Sequence, residues 1–180
     1  MKKEFIKLSS ILCLITLVAG LLLASVNSIT APAIERAEKK ASEEAMRKII
    51  PQADNFEVLN EYVTFAKKGD EPIGFCTKVT TTGYGGDIIM MVGMDINGII
   101  QGIEILSHSE TAGLGAKIAN DDFKAQFKDK SPFSTVVKNE TDSPDEITAV
   151  TGATISSRAV AKGLEDAVNM VNEALEEGTK

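Results

Sequence analysis

The sequence predicts an α+β fold in which an antiparallel sheet is flanked by helices and follows one N-terminal transmembrane helix. Three observations predict it. Residues 8–26 form an uncharged apolar run, several strand-like runs separated by turn residues lie between residues 56 and 106, and apolar residues recur at helical spacing after residue 159. Strands grouped together and closed by a helix form the layers of an α+β domain.

Residues 1–29 predict a cytoplasmic N-terminus and a membrane anchor. The run 8–26 contains no charge, and at about 1.5 Å per helical residue it roughly spans the hydrocarbon core of a bilayer. Lysines outnumber the single glutamate before it, so the positive-inside rule places the N-terminus in the cytoplasm and the rest of the chain outside. A cleaved signal peptide is the alternative, but the run is long for one and no A-x-A site follows.

Residues 30–52 predict a linker helix between the anchor and an extracytoplasmic domain at residues 53–180. Thr30 can cap this helix, Pro32 can open it, and Pro51 follows its end. Its Glu and Lys residues indicate a solvated face, with a coiled-coil partner as the alternative.

The outer domain begins with strands. Strand-like runs cover residues 56–65, 73–79, 87–94 and 99–106, and Asn97-Gly98 is a strong hairpin signal between the last two. We then expect a short helix at 117–127, an irregular polar stretch at 128–146, and a closing helix from about residue 156 to 176.

Composition excludes several function classes. The net charge of −7 and a pI near 4.8 argue against a nucleic-acid partner, because phosphate contacts need clustered Lys and Arg. A single histidine and the absence of CxxC exclude c-type haem, thiolate iron–sulfur ligation and a Cys/His zinc site, so no metal site is predicted. Cys13 lies in the apolar run, which makes a disulfide with Cys76 improbable. Redox chemistry would therefore need an organic cofactor.

Residues 151–157, TGATISS, lie where a strand-like run gives way to the closing helix. A helix N-terminus offers unpaired N–H groups and a partial positive charge, which suit a phosphate. Small residues allow the backbone to approach the phosphate, and hydroxyls can bind it. The candidates are Thr151, Gly152, Ala153, Thr154, Ser156 and Ser157. Ordinary helix capping is the alternative interpretation.

Two upstream loops are rich in glycine. Residues 80–86, TTTGYGG, precede a strand, and residues 110–115, ETAGLG, follow one. Glycine would let backbone N–H groups face a planar ligand. Leu114 would then cover the apolar face of that ligand. Plain turns are the alternative for both loops, and a surface position is the alternative to a ligand contact for His108.

These features resemble the covalent FMN-binding domain family. The motif at 151–157 is similar to its Ser/Thr-Gly-Ala-Thr flavinylation motif, and the order of anchor, GYGG at 83–86, HSETAGLG at 108–115 and that motif resembles the G subunit (RnfG) of the Rnf electron transport complex. Thr148 and Ala112 stand where the family often has Asp and Pro.

The resemblance implies an electron-transfer subunit of a membrane-bound, ion-translocating ferredoxin:NAD oxidoreductase, with no turnover of its own. It implies FMN joined through a phosphoester to Thr154 by a separate Mg-dependent flavin transferase, and other membrane subunits as partners. The implied cofactor-binding residues elsewhere are Tyr84, Glu110, Thr111, Gly113, Leu114 and Gly115. Two alternatives remain open: the equivalent subunit of the sodium-pumping NADH:quinone oxidoreductase, and a non-redox, membrane-anchored ligand-binding or assembly module.

Overall fold

A five-stranded antiparallel sheet forms the framework of the C-terminal unit, Ser42–Lys180. The computed structural model describes residues 2–139, 143 and 145–177. The strands neighbour one another in chain order, which confirms the predicted antiparallel sheet. They are β1 (Asn55–Val58), β2 (Val63–Lys68), β3 (Glu71–Thr82), β4 (Asp87–Asp95) and β5 (Ile100–His108).

Helices and one short parallel strand pair complete the fold. A 3₁₀ helix follows β5 at Gly115–Ala119 and leads into α2 (Asp121–Ala125). Strands β6 (Thr135–Val137) and β7 (Glu146–Thr148) pair in parallel, and α3 (Thr154–Glu177) closes the chain. The predicted closing helix is confirmed and begins two residues earlier than expected.

The N-terminal helix α1 runs without a break over Lys2–Ile49. We expected a new helix capped by Thr30, and this boundary is wrong because Pro32 lies inside α1. The Thr30 hydroxyl donates back to the Val26 carbonyl (3.0 Å), as such residues do in mid-helix. The helix is long and apolar enough to cross a membrane by length and composition. The division of the chain at residues 29/30 and 52/53 stays a prediction.

Strand β4 is buried on both faces because its sequence is apolar almost throughout. Met90 and Val92 lie on one face and belong to the main core, which includes Val160 of α3. On the other face, Met91 belongs to a smaller core formed with the last turns of α1, including Met46 and Ile49. The sheet is therefore covered by α3 on one side and by the end of α1 on the other.

The hairpin predicted at Asn97-Gly98 is confirmed. Gly98 has φ +81° and its N–H donates to the Asp95 carbonyl at 3.1 Å, while the Asp95 carboxylate accepts the N–H groups of Asn97 and Ile99. A positive φ at this position favours glycine. This turn fixes the antiparallel pairing of β4 with β5.

Three predicted segments differ from the structure. The strand expected at 56–65 is two strands, because the Asn60 side chain accepts the N–H groups of Tyr62 and Val63 and turns the chain there. The helix expected at 117–127 is divided at Asn120, whose ψ of 145° is extended. The stretch expected to be irregular contains β6 and the start of β7, and residues 140–142 and 144 of that stretch lie outside the described residues.

Candidate functional site

The hydroxyl-rich motif at 151–157 forms a tight turn and then the first turn of α3. The Ala153 N–H donates to the Val150 carbonyl at 2.9 Å, and Gly152 has φ +78°. A positive φ at the third position alone identifies a type II turn, which favours glycine there. Gly152 is therefore required by the turn.

The Ser157 hydroxyl holds this turn against the helix. It accepts the Val150 N–H and donates to the Ala153 carbonyl, both at 3.0 Å, and the residue is fully buried. We expected Ser157 to hold a phosphate. Its hydroxyl makes both of these hydrogen bonds within the chain, and a role in holding a phosphate stays a prediction.

Helix α3 begins at Thr154 with its first N–H groups pointing out of the helix end. The first hydrogen bond inside the helix is the one from the Ser157 N–H to the Ala153 carbonyl, at 3.0 Å. The N–H groups of the preceding helical residues therefore have no intrahelical acceptor. Ala153 has no side-chain oxygen to cap them, and the first turn contains no acidic residue. Such a helix end is suited to an anion.

Glu110 joins the two glycine-rich loops. One oxygen of its carboxylate, Oε1, accepts the Tyr84 N–H at 2.8 Å and the Gly85 N–H at 3.3 Å. The residue is 8% exposed, so these bonds are shielded from water. Residues 83–86 are thereby held against the loop that follows β5.

Leu114 connects this pair of loops to the hydroxyl-rich motif. A Cβ on Gly152 would lie 3.2 Å from a terminal methyl of Leu114, which shows how closely the two segments pack. Leu114 itself is 47% exposed. The two glycine-rich loops and the hydroxyl-rich motif therefore meet at one place.

A cavity of about 460 Å³ lies where these segments meet. Its volume is within the usual range for a small-molecule site. Most of the predicted cofactor-binding residues line it. The predicted residues that line the cavity in the structure are Tyr84, Glu110, Thr111, Leu114, Gly115, Gly152, Ala153, Thr154 and Ser156.

Three predicted residues do not line the cavity, and one lining residue was not predicted. Thr151, Gly113 and Ser157 are absent from its wall, whereas Ile155 belongs to it. Ile155 is 57% exposed in the first turn of α3. Ile155 lies outside the apolar series that begins at Val160. This isolated apolar position was the feature of the sequence that could have identified it as a lining residue.

Several polar side chains outside the cavity wall are engaged within the chain or buried. The His108 ring nitrogen Nδ1 accepts the Glu110 N–H at 3.3 Å, and His108 is not part of the wall. Lys162, one of two basic residues early in α3, pairs with Asp166 at 3.2 Å. Burial raises the pKa of the Cys76 thiol to about 12, so this thiol stays protonated at neutral pH.

The wall fits a phosphate ester that carries a planar, largely apolar ring. The N–H groups at the start of α3 supply donors for a phosphate, and Thr154 supplies a hydroxyl beside them. Three exposed apolar side chains of the wall, Tyr84, Leu114 and Ile155, offer surface for a ring. The residues present therefore fit a flavin mononucleotide.

Comparison with known proteins also indicates an FMN-binding domain. The family model described as the FMN-binding domain matches residues 83–169, and the one described as the RnfG N-terminal region matches residues 1–49. The chain is 35% identical over 156 residues to the G subunit of the proton-translocating ferredoxin:NAD(+) oxidoreductase complex of Clostridium ljungdahlii, covering 86% of this chain and 84% of the relative. The chain belongs to the RnfG family.

Another member of the RnfG family is similarly related. The G subunit of the Na(+)-translocating ferredoxin:NAD(+) oxidoreductase complex of Acetobacterium woodii is 34% identical, over 90% of this chain and 89% of the relative. The FMN-binding domain match includes every residue that lines the cavity, which indicates FMN as the ligand of this protein.

A solved structure has a related fold. The C subunit of the Na(+)-translocating NADH-quinone reductase from Parabacteroides distasonis superposes with a TM-score of 0.53 at 25% identity. The match covers 63% of this chain and 61% of that one, so the chain spans about three fifths of that protein's length.

Proposed function

We propose that this chain carries FMN covalently on the Thr154 hydroxyl and relays electrons within an Rnf-type complex. One observation supports the attachment site above the others: Thr154 is the first residue of α3 and also lines the cavity. A phosphate bound to its oxygen would lie at the helix N-terminus, where N–H groups and the helix dipole favour negative charge.

Attachment requires an enzyme and no base from this chain. A Mg-dependent flavin transferase would transfer the FMN moiety of FAD to the Thr154 oxygen, with AMP leaving and the hydroxyl proton released. Thr154 is half-buried and lies in the cavity wall. The chain is the substrate of this reaction, so its contribution is access to the hydroxyl.

A covalent link explains how an open cavity can retain a cofactor. Tethering makes docking of the ring intramolecular, with an effective concentration on the order of millimolar. The exposed side chains at the cavity can then stay accessible to a redox partner. Flavins supply one- and two-electron transfer, while this chain holds the phosphate at α3 and positions the ring beside Tyr84 and Leu114.

The relatives support a proposal about the partners of this chain. Those relatives are subunits of ion-translocating ferredoxin:NAD(+) oxidoreductase complexes. We infer that this chain assembles with the other membrane subunits of such a complex, which would hold the ferredoxin and NAD sites. Its identity of 35% with an Rnf protein, against 25% with the NADH-quinone reductase protein, favours the Rnf assignment.

The N-terminal helix would anchor the chain in the cell membrane as a single span. The lysine-rich N-terminus would lie in the cytoplasm, and residues 53–180 would form the FMN-binding domain outside, joined through residues 30–52. Protease digestion of intact and of opened membrane vesicles tests this orientation. Cleavage of the FMN-binding domain from the cytoplasmic side would contradict it.

Substitution of Thr154 tests the attachment site directly. In cells that also make the flavin transferase, we expect the unaltered chain to show flavin fluorescence in a denaturing gel and Thr154→Ala to show none. Thr151→Ala is the matched control and should keep a detectable signal, because Thr151 does not line the cavity. The reverse pattern would move the linkage to Thr151, and an unlabelled wild-type chain would reject the covalent model.

A further inference from the structure

The Glu110 carboxylate occupies space that two glycines leave open. A Cβ on Gly83 would overlap its Oε1 atom, and a Cβ on Gly115 would overlap its Oε2 atom. From the sequence we attributed the glycines of these loops to close approach of a ligand. In the structure, Gly83 and Gly115 make room for a carboxylate of the chain itself, and Gly115 also lines the cavity.

The carboxylate makes two different connections. Oε1 accepts the N–H groups of Tyr84 and Gly85, which fixes the turn that contains Tyr84. Oε2 lies against Gly115, and both residues line the cavity. A charged acceptor forms stronger hydrogen bonds to backbone N–H groups than a neutral one does.

We propose that Glu110 is a positioning residue that latches residues 83–86 to the loop after β5 and places a negative charge in the cavity wall. The latch holds Tyr84 at the cavity. Because Glu110 lines the cavity, its carboxylate can accept a hydrogen bond from a planar ring that carries an N–H donor on its edge.

The electrical consequence rests on the proposed function. A negative charge beside a bound flavin disfavours the addition of electrons to it, because like charges repel. Glu110→Gln keeps an oxygen for the two N–H groups and removes the charge. This variant therefore tests the effect of the charge while the hydrogen bonds to the Tyr84 and Gly85 N–H groups are kept.

Hydrogen exchange tests the latch without any flavin. In the full-length chain, the Tyr84 and Gly85 amides should exchange slowly in the wild type and at least tenfold faster in Glu110→Ala. Gly115→Ala should also accelerate them, since its methyl group displaces the carboxylate. Equal exchange in wild type and Glu110→Ala would overturn the latch. If Glu110→Ala does not fold, the Gly115→Ala measurement decides.

A dithionite titration of the flavin-loaded chain tests the charge. The midpoint potential of Glu110→Gln should be more positive, by about 30 mV for a tenfold change in a two-electron equilibrium. Glu61→Gln, an exposed residue on the turn between β1 and β2, makes the same charge change away from the cavity and should leave the potential unchanged. An unchanged potential in Glu110→Gln would overturn this part. A wild-type chain without flavin would reject the proposed function and leave the exchange result standing.

Discussion

Single buried polar groups hold the candidate site in shape. The Ser157 hydroxyl bonds the turn before α3, and the Glu110 carboxylate bonds the turn that contains Tyr84. Both residues are at most 8% exposed, so losing either bond would leave a backbone N–H without a protein partner. A residue that contacts a ligand and a residue that positions a loop can carry the same polar group. They differ in whether that group bonds the ligand or the backbone of the chain.

Thr77 differs from Ser157 and Glu110 because its buried polar group is not hydrogen-bonded to any described residue. Its hydroxyl is fully buried on β3 and has no hydrogen-bond partner within the described part of the chain. Thr77→Val replaces the hydroxyl by a methyl group of similar size and keeps a branched residue on the strand. We expect it to raise the free energy of unfolding by about 1 kcal/mol.

Thr77→Ser is the control, since it keeps the hydroxyl and removes one methyl group. It should lower the free energy of unfolding by about 1 kcal/mol. Urea unfolding of the full chain in detergent, followed by circular dichroism, measures both variants. Destabilisation by Thr77→Val would mean that the hydroxyl is hydrogen-bonded in solution.

Two neighbouring glycines let the end of α1 approach the sheet. Gly93 on β4 and Gly102 on β5 are register partners, and both face Ile49. A Cβ on Gly93 would overlap the Ile49 side chain, whereas a Cβ on Gly102 would lie 3.4 Å from it, in ordinary contact. The packing of helix on sheet therefore depends on the first glycine.

Alanine substitution should separate the two positions. Gly93→Ala forces Ile49 away from the sheet and should cost about 1–3 kcal/mol of stability, as overpacking of a core does. Gly102→Ala should change stability by no more than about 0.5 kcal/mol. If Gly93→Ala lowers the free energy of unfolding by urea no more than Gly102→Ala does, the end of α1 can shift away from the sheet without cost.

Periodicity predicted strands β3 to β5 and helix α3 and missed strand β6. Strands β3 to β5 and helix α3 have enough residues for their apolar pattern to stand out. Strand β6 has three residues, too few for alternation to be visible, whereas the strand-like run before residue 151 overlaps β7. The break in the first predicted strand and the continuity of α1 depend on what the side chains of Asn60 and Thr30 bond, which spacing does not determine.

Across the whole C-terminal unit, a network of four charges joins three elements. Lys48 at the end of α1 pairs with Glu104 on β5 at 3.0 Å, and the buried Lys124 of α2 pairs with Glu104 at 2.7 Å and with Asp121 at 3.0 Å. Hydrogen bonding to Lys124, and then its charge, lowers the pKa of Asp121. Hydrogen bonding to Glu104 raises the pKa of Lys48.

This network should make stability depend on pH at both extremes. A lowered Asp121 pKa contributes stability above the unfolded value of 3.8 that is lost as pH falls through the folded pKa. A raised Lys48 pKa contributes below 10.5 and is lost as pH rises through its folded pKa. We expect Asp121→Asn to lower the unfolding temperature at neutral pH and to have no effect in strong acid. Asp122→Asn is the adjacent control and should have no effect at either pH, and equal shifts would contradict the role of Asp121.

The composition of the site was more predictable than its geometry. Three separate segments were expected to hold one ligand, and the structure brings all three to one cavity. The sequence did not show that Ser157 turns inward or that Gly83 and Gly115 accommodate Glu110, because these roles arise from contacts between segments far apart in the chain.

Peptide mapping by mass spectrometry of the chain from its native membrane tests the central claim most directly. The account predicts that the peptide containing residues 151–157 is heavier by one FMN less one water, and that fragmentation places the added mass on Thr154. An unmodified peptide, or the added mass on Thr151 or Ser156, would contradict it.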